Sequence, residues 1–192
     1  HKHFNKALDP PVKTVIDQAI KQYESLGANI ESIDIPTSKY GVAIYYILAL
    51  SETSSNLARF DSVRYGASRG EFSHETKRRI MLGTYALSAG YYDAWYKKAQ
   101  QVRTLIRREF DQTFSKYDVL LTTTTPTTAF NIGEKTDDPY QMYLPDICLI
   151  TVNIAGLPAI PLPFAFIDGL PIGLKVIGKP LVEDTVLRVA HA

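Results

Sequence analysis

Residues 159–178 read AIPLPFAFIDGLPIGLKVIG, and this stretch decides one part of the fold. Two apolar runs, 159–166 and 172–177, lie on either side of the dipeptide Asp168-Gly169. An Asp-Gly pair readily adopts the backbone angles of a tight turn, so the stretch predicts a β-hairpin that closes a sheet. Pro161 has no backbone N–H, which places it at a sheet edge, at a bulge or where its position in the ladder needs no donor.

Two further segments have the character of strands. Residues 118–122, DVLLT, form a short apolar run without alternation, which is typical of a central strand buried on both faces. Residues 30–35 alternate imperfectly and end at Pro36, which predicts a strand with one buried face. Both predictions add strands to the sheet.

Four other segments have apolar residues at helical spacing, which predicts helices. They are residues 10–26, 40–60, 74–117 and 183–192. Asp9 is a suitable N-cap for the first, whose first turn accommodates the two prolines that follow. Gly83 and Gly90 interrupt the third and mark bends or a helix pair. Strands and helices in this order predict an α/β fold.

Composition excludes several classes of function. The chain has 192 residues, 45% of them apolar, which is enough for one domain with a core. Lys and Arg total 21 against 20 for Asp and Glu, so no strong field favours nucleic acid or an anionic membrane. Cys148 is the single cysteine, which excludes an internal disulfide framework and fits a reducing compartment. No apolar run approaches the roughly 18 residues of a membrane span.

The usual motifs of self-sufficient catalysis are missing from the sequence. It contains neither a glycine-rich phosphate loop nor GxSxG. The four histidines have no metal-ligand spacing, and we predict no metal site. His1 and His3 are either a weak metal site or, with the greater weight, a tag remnant or frayed terminus. We therefore expect this chain to need other residues for chemistry.

Four sequence segments, in order and spacing, carry a family resemblance. They are SSNLARFDSVRYG (54–66), KRRIMLGTYALSAGYYDAWYKKAQQVRTLI (77–106), PTTAFNIGEK (126–135), and NIAGLPAI (153–160) with GLPIGLKVIG (169–178). The last pair resembles amidase-signature enzymes in general. The others are most similar to the glutaminase subunit, called the A subunit, of glutamyl-tRNA(Gln)/aspartyl-tRNA(Asn) amidotransferases. On this resemblance, residues 1–192 are the carboxy-terminal part of a single amidase-signature domain.

The resemblance implies an amidase-signature fold, in which a mixed β-sheet is sandwiched between helical layers. It also implies a triad of serine, cis-serine and lysine that hydrolyses an amide through an acyl-enzyme. Those residues lie in the glycine- and serine-rich amino-terminal half of the family, so we assign no catalytic residue here and expect this chain alone to be inactive. Ser54 and Ser55 do not substitute, since they lie in a predicted helix with no activating lysine motif.

Three residues match family positions that bind glutamine: Tyr45, Arg79 and Asp146. The match makes physical sense, because a buried site must pair both charges of a free amino acid. Arg79 suits the carboxylate and Asp146 the ammonium, while Tyr45 suits the amide. Each has a plainer alternative: packing for Tyr45, a solvated helix face for Arg79 and an N-cap for Asp146. The neighbouring cations Lys77 and Arg78 are poorer substitutes for Arg79.

The resemblance implies that the complete protein hydrolyses glutamine and supplies ammonia for converting Glu-tRNA(Gln) to Gln-tRNA(Gln). It implies a heterotrimer with amidotransferase subunits B and C, contact with tRNA through the partner only, and no membrane. No cofactor is expected in this chain; ATP and Mg are used by the partner subunit. We expect a cytoplasmic location, with mitochondrion or plastid as alternatives. The competing functions are a stand-alone amidase and a non-catalytic interaction remnant.

The sequence departs from the family pattern at several positions near the expected active centre. Thr123 stands where the family has proline, and the segment between Gly66 and Lys77 is shorter than in the family. Three positions of the strand after NIAGLPAI differ from the usual serine, cysteine and glycine; they are Pro161, Phe164 and Ala165. We expect these differences to bear on activity.

Overall fold

The computed structural model describes residues 8–134 and 144–192. The chain divides into two compact units. Unit 1 consists of His1–Lys39 and Ile106–Ala192, and unit 2 of Tyr40–Leu105. The assignment of residues 1–192 to one family domain stays a prediction, because one family domain can contain more than one compact unit.

Helices and strands are both present: four α-helices precede the first strand, and two consecutive strands precede the last helix. The α-helices are α1 (Pro10–Ser25), α2 (Gly41–Leu57), α3 (His74–Ala86), α4 (Lys98–Thr113), α5 (Ile147–Ala155) and α6 (Glu183–His191). The strands are β1 (Val119–Thr123), β2 (Ala159–Ile167) and β3 (Leu170–Gly178). A π-helix spans Tyr92–Lys97, and short 3-10 helices span Pro36–Tyr40, Arg69–Glu71 and Leu144–Asp146. All four predicted helical segments are confirmed, the third as separate helices.

The predicted β-hairpin forms the centre of unit 1. The strands β2 and β3 pair antiparallel, and β1 pairs antiparallel with the other side of β3, giving the order β1-β3-β2. Asp168 and Gly169 have φ angles of 51° and 79°. Two successive positive φ angles are those of a type I′ turn, whose twist matches that of the strands. The Asp-Gly prediction is therefore confirmed.

The two prolines of β2 lie where the ladder needs no donor. The Gly178 N–H donates to the Pro158 carbonyl oxygen at 2.9 Å, which makes this a hydrogen-bonded pair. Hydrogen-bonded and non-bonded pairs alternate in an antiparallel ladder. The backbone nitrogens of Pro161 and Pro163 therefore point away from β3. The register shifts between Pro163 and Ala165. Among the described strands β2 lies at an edge, which is one of the three placements that Pro161 allowed.

The strand predicted at 118–122 is present as β1, but its predicted central position is wrong for the sheet that the structure describes. The Thr124 N–H donates to the Gly173 carbonyl oxygen at 2.9 Å, so the N–H groups of alternate residues of β1 point toward β3. By the same alternation, the N–H groups of Val119, Leu121 and Thr123 point away from it. Within residues 8–134 and 144–192, β3 is the central strand and β1 an edge strand.

The strand predicted at 30–35 is wrong. Residues 28–35 are not assigned to any strand, although Ile35 is buried and Ile30 and Ile33 are half-buried. A strand is defined by its ladder, and no described strand pairs with this segment. The alternation of apolar residues correctly indicated that this segment is partly buried. It did not show that the segment pairs with a strand.

The core of unit 1 lies between α1 and the hairpin. Val12 and Val15 of α1 pack with Ile172 of β3, and partly buried apolar residues surround them. These are Leu8, Phe164, Ala165 and Ile167. On α6, Val186 approaches the backbone of β3 at Gly178, where an added Cβ would lie 2.2 Å from its Cγ2 atom. Glycine at position 178 thus permits this close packing.

Unit 2 is organised by the packing of α2 against α3. Ile44 and Leu48 on α2 are buried. Gly83 on α3 lies so close to α2 that an added Cβ would be 2.0 Å from the Leu50 carbonyl oxygen. The bend predicted at Gly83 is wrong, because this glycine lies inside α3 and serves helix contact. Gly90, with φ of 85°, does separate α3 from the π-helix.

We expect Gly83→Ala to destabilise the protein by about 1–3 kcal/mol, because the new methyl group has to displace backbone of α2. The better helix propensity of alanine offsets at most about 1 kcal/mol of this cost. Urea unfolding measures the difference. Gly70→Ala is the control, since its added Cβ would meet only the Ser68 Oγ at an ordinary 3.5 Å. Equal stability of the two variants would contradict the close approach.

Candidate functional site

Helix α3 has a side-chain N-cap, and its first two turns carry Glu75 and the three cations at 77–79. Ser73 is the N-cap, and its Oγ accepts a hydrogen bond from the Thr76 N–H at 3.2 Å. Glu75 lies in the first turn, where a carboxylate interacts favourably with the helix dipole. The helix therefore begins at a defined residue and fixes the direction of the side chains that follow.

The three adjacent cations Lys77, Arg78 and Arg79 make different contacts. The Lys77 Nζ donates to the Gly70 carbonyl at 2.7 Å. Arg78 binds Glu75 with two nitrogens, through Nε at 2.8 Å and Nη2 at 2.9 Å. Arg79 binds the same carboxylate through Nε alone, at 2.7 Å. In the described part of the chain, Arg79 thus contacts Glu75 through one nitrogen and Arg78 through two.

Arg79 lies close enough to Tyr45 for the two side chains to interact electrostatically. The pKa of Arg79 is raised, first by its hydrogen bond to Glu75 and to a lesser extent by electrostatic interaction with Glu75, Tyr45 and Tyr46. The two tyrosine rings meet edge to face, with centroids 5.4 Å apart and planes at 85°. Two of the three residues predicted to bind substrate are therefore brought together within unit 2.

The geometry at Arg79 suits a carboxylate ligand. Its side chain is 43% exposed, and its Nη atoms make no hydrogen bond within the described part of the chain. A guanidinium presents paired N–H donors that match the two oxygens of a carboxylate. The contact with Glu75 uses only Nε, so the outer pair of donors remains available to a ligand.

Asp146 belongs to unit 1 and ends the 3-10 helix Leu144–Asp146. It occupies the N-cap position of α5, but its side chain makes no capping hydrogen bond. The alternative prediction of an N-cap is therefore correct for the position and wrong for the side-chain contact. Its meeting with Arg79 around one ligand stays a prediction.

Unit 1 contains a cavity of about 1280 Å³. Its walls include residues of α1, the extended segment after it, β1 and α5, among them Tyr23, Ile33, Leu121 and Cys148. Pockets for small molecules usually measure roughly 300–1,000 Å³, so this space exceeds what one small ligand fills. None of the three predicted site residues lines it.

The described ranges hold neither a metal cluster nor a membrane-spanning helix. In residues 8–134 and 144–192, no three His, Cys, Asp or Glu side chains are placed to hold a metal ion. His1 and His3, named above as a weak metal site or frayed terminus, lie outside the described residues. Across the same described ranges, no helix combines the length and apolar character needed to cross a membrane.

The hydroxyl groups of Ser54 and Thr84 form a hydrogen bond, with their oxygen atoms 2.7 Å apart.

Comparison with known proteins decides the family. A family model described as Amidase matches residues 1–187. The chain belongs to the amidase family. The A subunit of glutamyl-tRNA(Gln) amidotransferase from Symbiobacterium thermophilum is 53% identical over 200 residues, covering 96% of this chain and 41% of the relative. Its counterpart from Brevibacillus brevis is 55% identical over 205 residues, covering 98% of this chain and 42% of the relative. The chain thus spans about two fifths of these relatives.

Solved structures of the amidase family confirm the fold. The A subunit of glutamyl-tRNA(Gln) amidotransferase from Thermotoga maritima has a TM-score of 0.78 and 43% identity, covering 98% of this chain and 39% of that chain. A further amidase has a TM-score of 0.79 at 20% identity, covering 98% of this chain and 42% of that chain, which concerns the fold alone. The predicted amidase-signature α/β fold is confirmed, while the three described strands are all antiparallel.

Two further charged residues of this amidase-family chain, Glu75 and Lys175, were not predicted from the sequence. Glu75 was not singled out, although Glu four residues before Arg on a helix is a recognised pairing signal. Lys175 was not singled out either, although a lysine inside the apolar run GLPIGLKVIG is unusual. Lys175 is only 3% exposed, and its Nζ donates to the carbonyl oxygen of Cys148. The central strand β3 therefore carries a buried titratable amine.

Burial perturbs both members of this pair. Desolvation lowers the pKa of Lys175 from 10.5 to about 8, against a smaller opposing effect of Cys148. Desolvation also raises the pKa of the Cys148 thiol from 9.0 to about 11, against a smaller opposing effect of Lys175. Both shifts arise because burial disfavours the charged form of each group.

We expect stability to rise with pH between about pH 8 and pH 9 and the Lys175→Met variant to lose this rise. In that window the unfolded lysine holds a proton that the folded one releases, which contributes up to roughly 1.4 kcal/mol per pH unit. Above about pH 9 the effect is offset, because the thiol of Cys148 ionises first in the unfolded state.

Urea unfolding at several pH values measures this slope. Lys179→Met removes an exposed lysine close by and should keep the slope of the unmodified protein. An unchanged slope in Lys175→Met would show that the buried amine does not lose its proton in this range.

Proposed function

We propose that this chain is the part of a glutamine-hydrolysing amidotransferase subunit that binds the charged ends of glutamine. The outer donors of Arg79 take the α-carboxylate, Asp146 takes the α-ammonium, and Tyr45 offers its hydroxyl to the amide. Similarity to the A subunit of these amidotransferases over 96% and 98% of the chain supports this assignment. The observation that carries it is the Arg79 guanidinium, held at Nε and open at its Nη atoms beside Tyr45.

The chemical argument concerns the cost of removing a zwitterion from water. An unpaired carboxylate or ammonium in a closed site loses several kcal/mol of solvation, and a fixed counter-charge restores most of it. A neutral amide would leave both of the proposed counter-charges unpaired, and a monocation would leave that of Arg79 unpaired. The site would therefore select free amino acids over simple amides.

The remaining steps belong to residues and subunits other than this chain. A serine, cis-serine and lysine triad in the rest of the subunit would release ammonia from glutamine. Ammonia would then pass to a partner subunit, in a complex with subunits B and C, which converts Glu-tRNA(Gln) to Gln-tRNA(Gln) with ATP and Mg. Contact with tRNA would be through that partner. Bacterial relatives favour a cytoplasmic location over an organelle.

We expect Arg79→Ala to raise the KM for glutamine by roughly 10- to 100-fold, the value of one or two charge-assisted hydrogen bonds. Asp146→Asn should raise it to a similar extent. Both variants belong in a glutaminase subunit of full family length that carries this sequence and is assembled with its partners. Steady-state glutaminase kinetics provide the measurement.

The same assembled complex supplies the control. With ammonium chloride as nitrogen source, glutamine binding is bypassed, so both variants should retain the unmodified rate of amide transfer. Normal glutamine kinetics in both variants would refute the proposed site. Hydrolysis of simple aliphatic or aryl amides without a tRNA-binding partner would favour a stand-alone amidase instead.

The neighbouring tyrosines offer a matched pair of variants. Tyr45→Phe removes the hydroxyl proposed to reach the glutamine amide and should raise the KM or lower kcat by roughly 2- to 12-fold, the value of one neutral hydrogen bond. Tyr46→Phe makes the same chemical change on the adjacent residue, whose ring meets that of Tyr45. Equal effects of the two substitutions would assign Tyr45 to packing alone.

A further inference from the structure

Glu75 is the one carboxylate that contacts two neighbouring guanidinium groups in unit 2 of the described chain. It accepts from the Arg78 Nε and Nη2 and from the Arg79 Nε, at distances between 2.7 and 2.9 Å. Its position in the first turn of α3 is fixed by the Ser73 cap. These contacts lower the pKa of Glu75 to about 2, so it is ionised near neutral pH.

The shared carboxylate treats the two arginines unequally. It binds Arg78 through the side edge of the guanidinium, with two parallel hydrogen bonds. It binds Arg79 only at Nε, the nitrogen nearest the chain. An arginine held at Nε keeps its terminal donors in one orientation, which reduces the rotamer freedom that a ligand must otherwise remove.

The electrostatic effect of Glu75 acts in the opposite direction. A carboxylate at Nε partly cancels the charge of Arg79 and repels a second carboxylate. The Arg79 side chain is 43% exposed and that of Glu75 46%, so water screens much of this repulsion. Two guanidinium groups also face one carboxylate, so the cluster stays cationic. Orientation therefore outweighs repulsion.

We propose that Glu75 is a positioning residue that turns the terminal donors of Arg79 toward the carboxylate of the substrate. This inference rests on the proposed function, since it takes Arg79 as the residue that binds that carboxylate. Glu75 itself does not touch the substrate. Its role is to make Arg79, and not Arg78, the arginine that is ready to bind.

Two substitutions separate orientation from charge. Glu75→Ala removes the acceptor and should raise the KM for glutamine by roughly 3- to 10-fold, the cost of ordering one long side chain on binding. The kcat should stay within about twofold, because the contact is equally present in the ground state and the transition state. Glu75→Gln retains an oxygen that accepts from the Arg79 Nε and should restore the KM to within about twofold of the unmodified enzyme.

Arg78→Ala is the matched control for helix stability. It removes the stronger of the two contacts with Glu75 and leaves the Arg79 contact in place. Its KM should stay within about twofold of the unmodified value, although α3 loses an ion pair. A KM increase equal to that of Glu75→Ala would overturn the inference, because it would assign the effect to the helix.

A double-mutant cycle supplies the deciding measurement. If Glu75 acts through Arg79, Glu75→Ala should have no further effect on KM in the Arg79→Ala background. Additive effects would overturn the positioning role, as would a normal KM in Glu75→Ala when Arg79→Ala is impaired. Normal KM values in both Arg79→Ala and Asp146→Asn would instead refute the proposed function, so failure of the inference and failure of the function give different results.

Discussion

The pairing of β3 on both sides is the constraint on which unit 1 depends. Its backbone groups bond alternately to β1 and β2. Its Ile172 side chain packs with α1, and its backbone at Gly178 lies against α6. Such a strand has little freedom to change register, because a shift by one residue would exchange its two faces. The two-residue turn at Asp168-Gly169 fixes the register between β2 and β3 locally.

Unit 2 depends on a different constraint, the close approach of two helices at a glycine. The backbone of α2 reaches α3 at Gly83 because no side chain intervenes. This contact sets the distance between the helix that carries Tyr45 and the helix that carries Arg79. A site for a small zwitterion requires such accuracy, since a hydrogen bond needs a donor–acceptor distance of roughly 2.7–3.2 Å and a nearly linear geometry. The packing of apolar and small residues thus determines the placement of the polar ones.

The sequence predicted the local features well and the neighbours of each element less well. The helix after Asp9, the Asp-Gly hairpin and the restricted placement of Pro161 in the ladder follow from backbone chemistry, which is encoded within a few residues. The strand at 30–35 and the central position of β1 were wrong because pairing depends on a partner segment elsewhere.

The candidate site shows the same division between residue type and arrangement. The resemblance named Tyr45 and Arg79, and the structure places them together in unit 2. It did not predict that Lys77, Arg78 and Arg79 have unequal partners, since adjacent cations look alike in sequence. Lys175 was missed for a related reason, because burial of an isolated lysine depends on the strands and helix around it and not on its neighbours in the chain.

The prolines of β2 make the two edges of the described sheet different. With Pro161 and Pro163 facing outward, the outer border of β2 has lost two of the donors that another strand would need. The outer border of β1 keeps the donors of Val119, Leu121 and Thr123. Another strand would therefore find more outward-pointing N–H donors along β1 than along β2, because two residues of β2 are prolines.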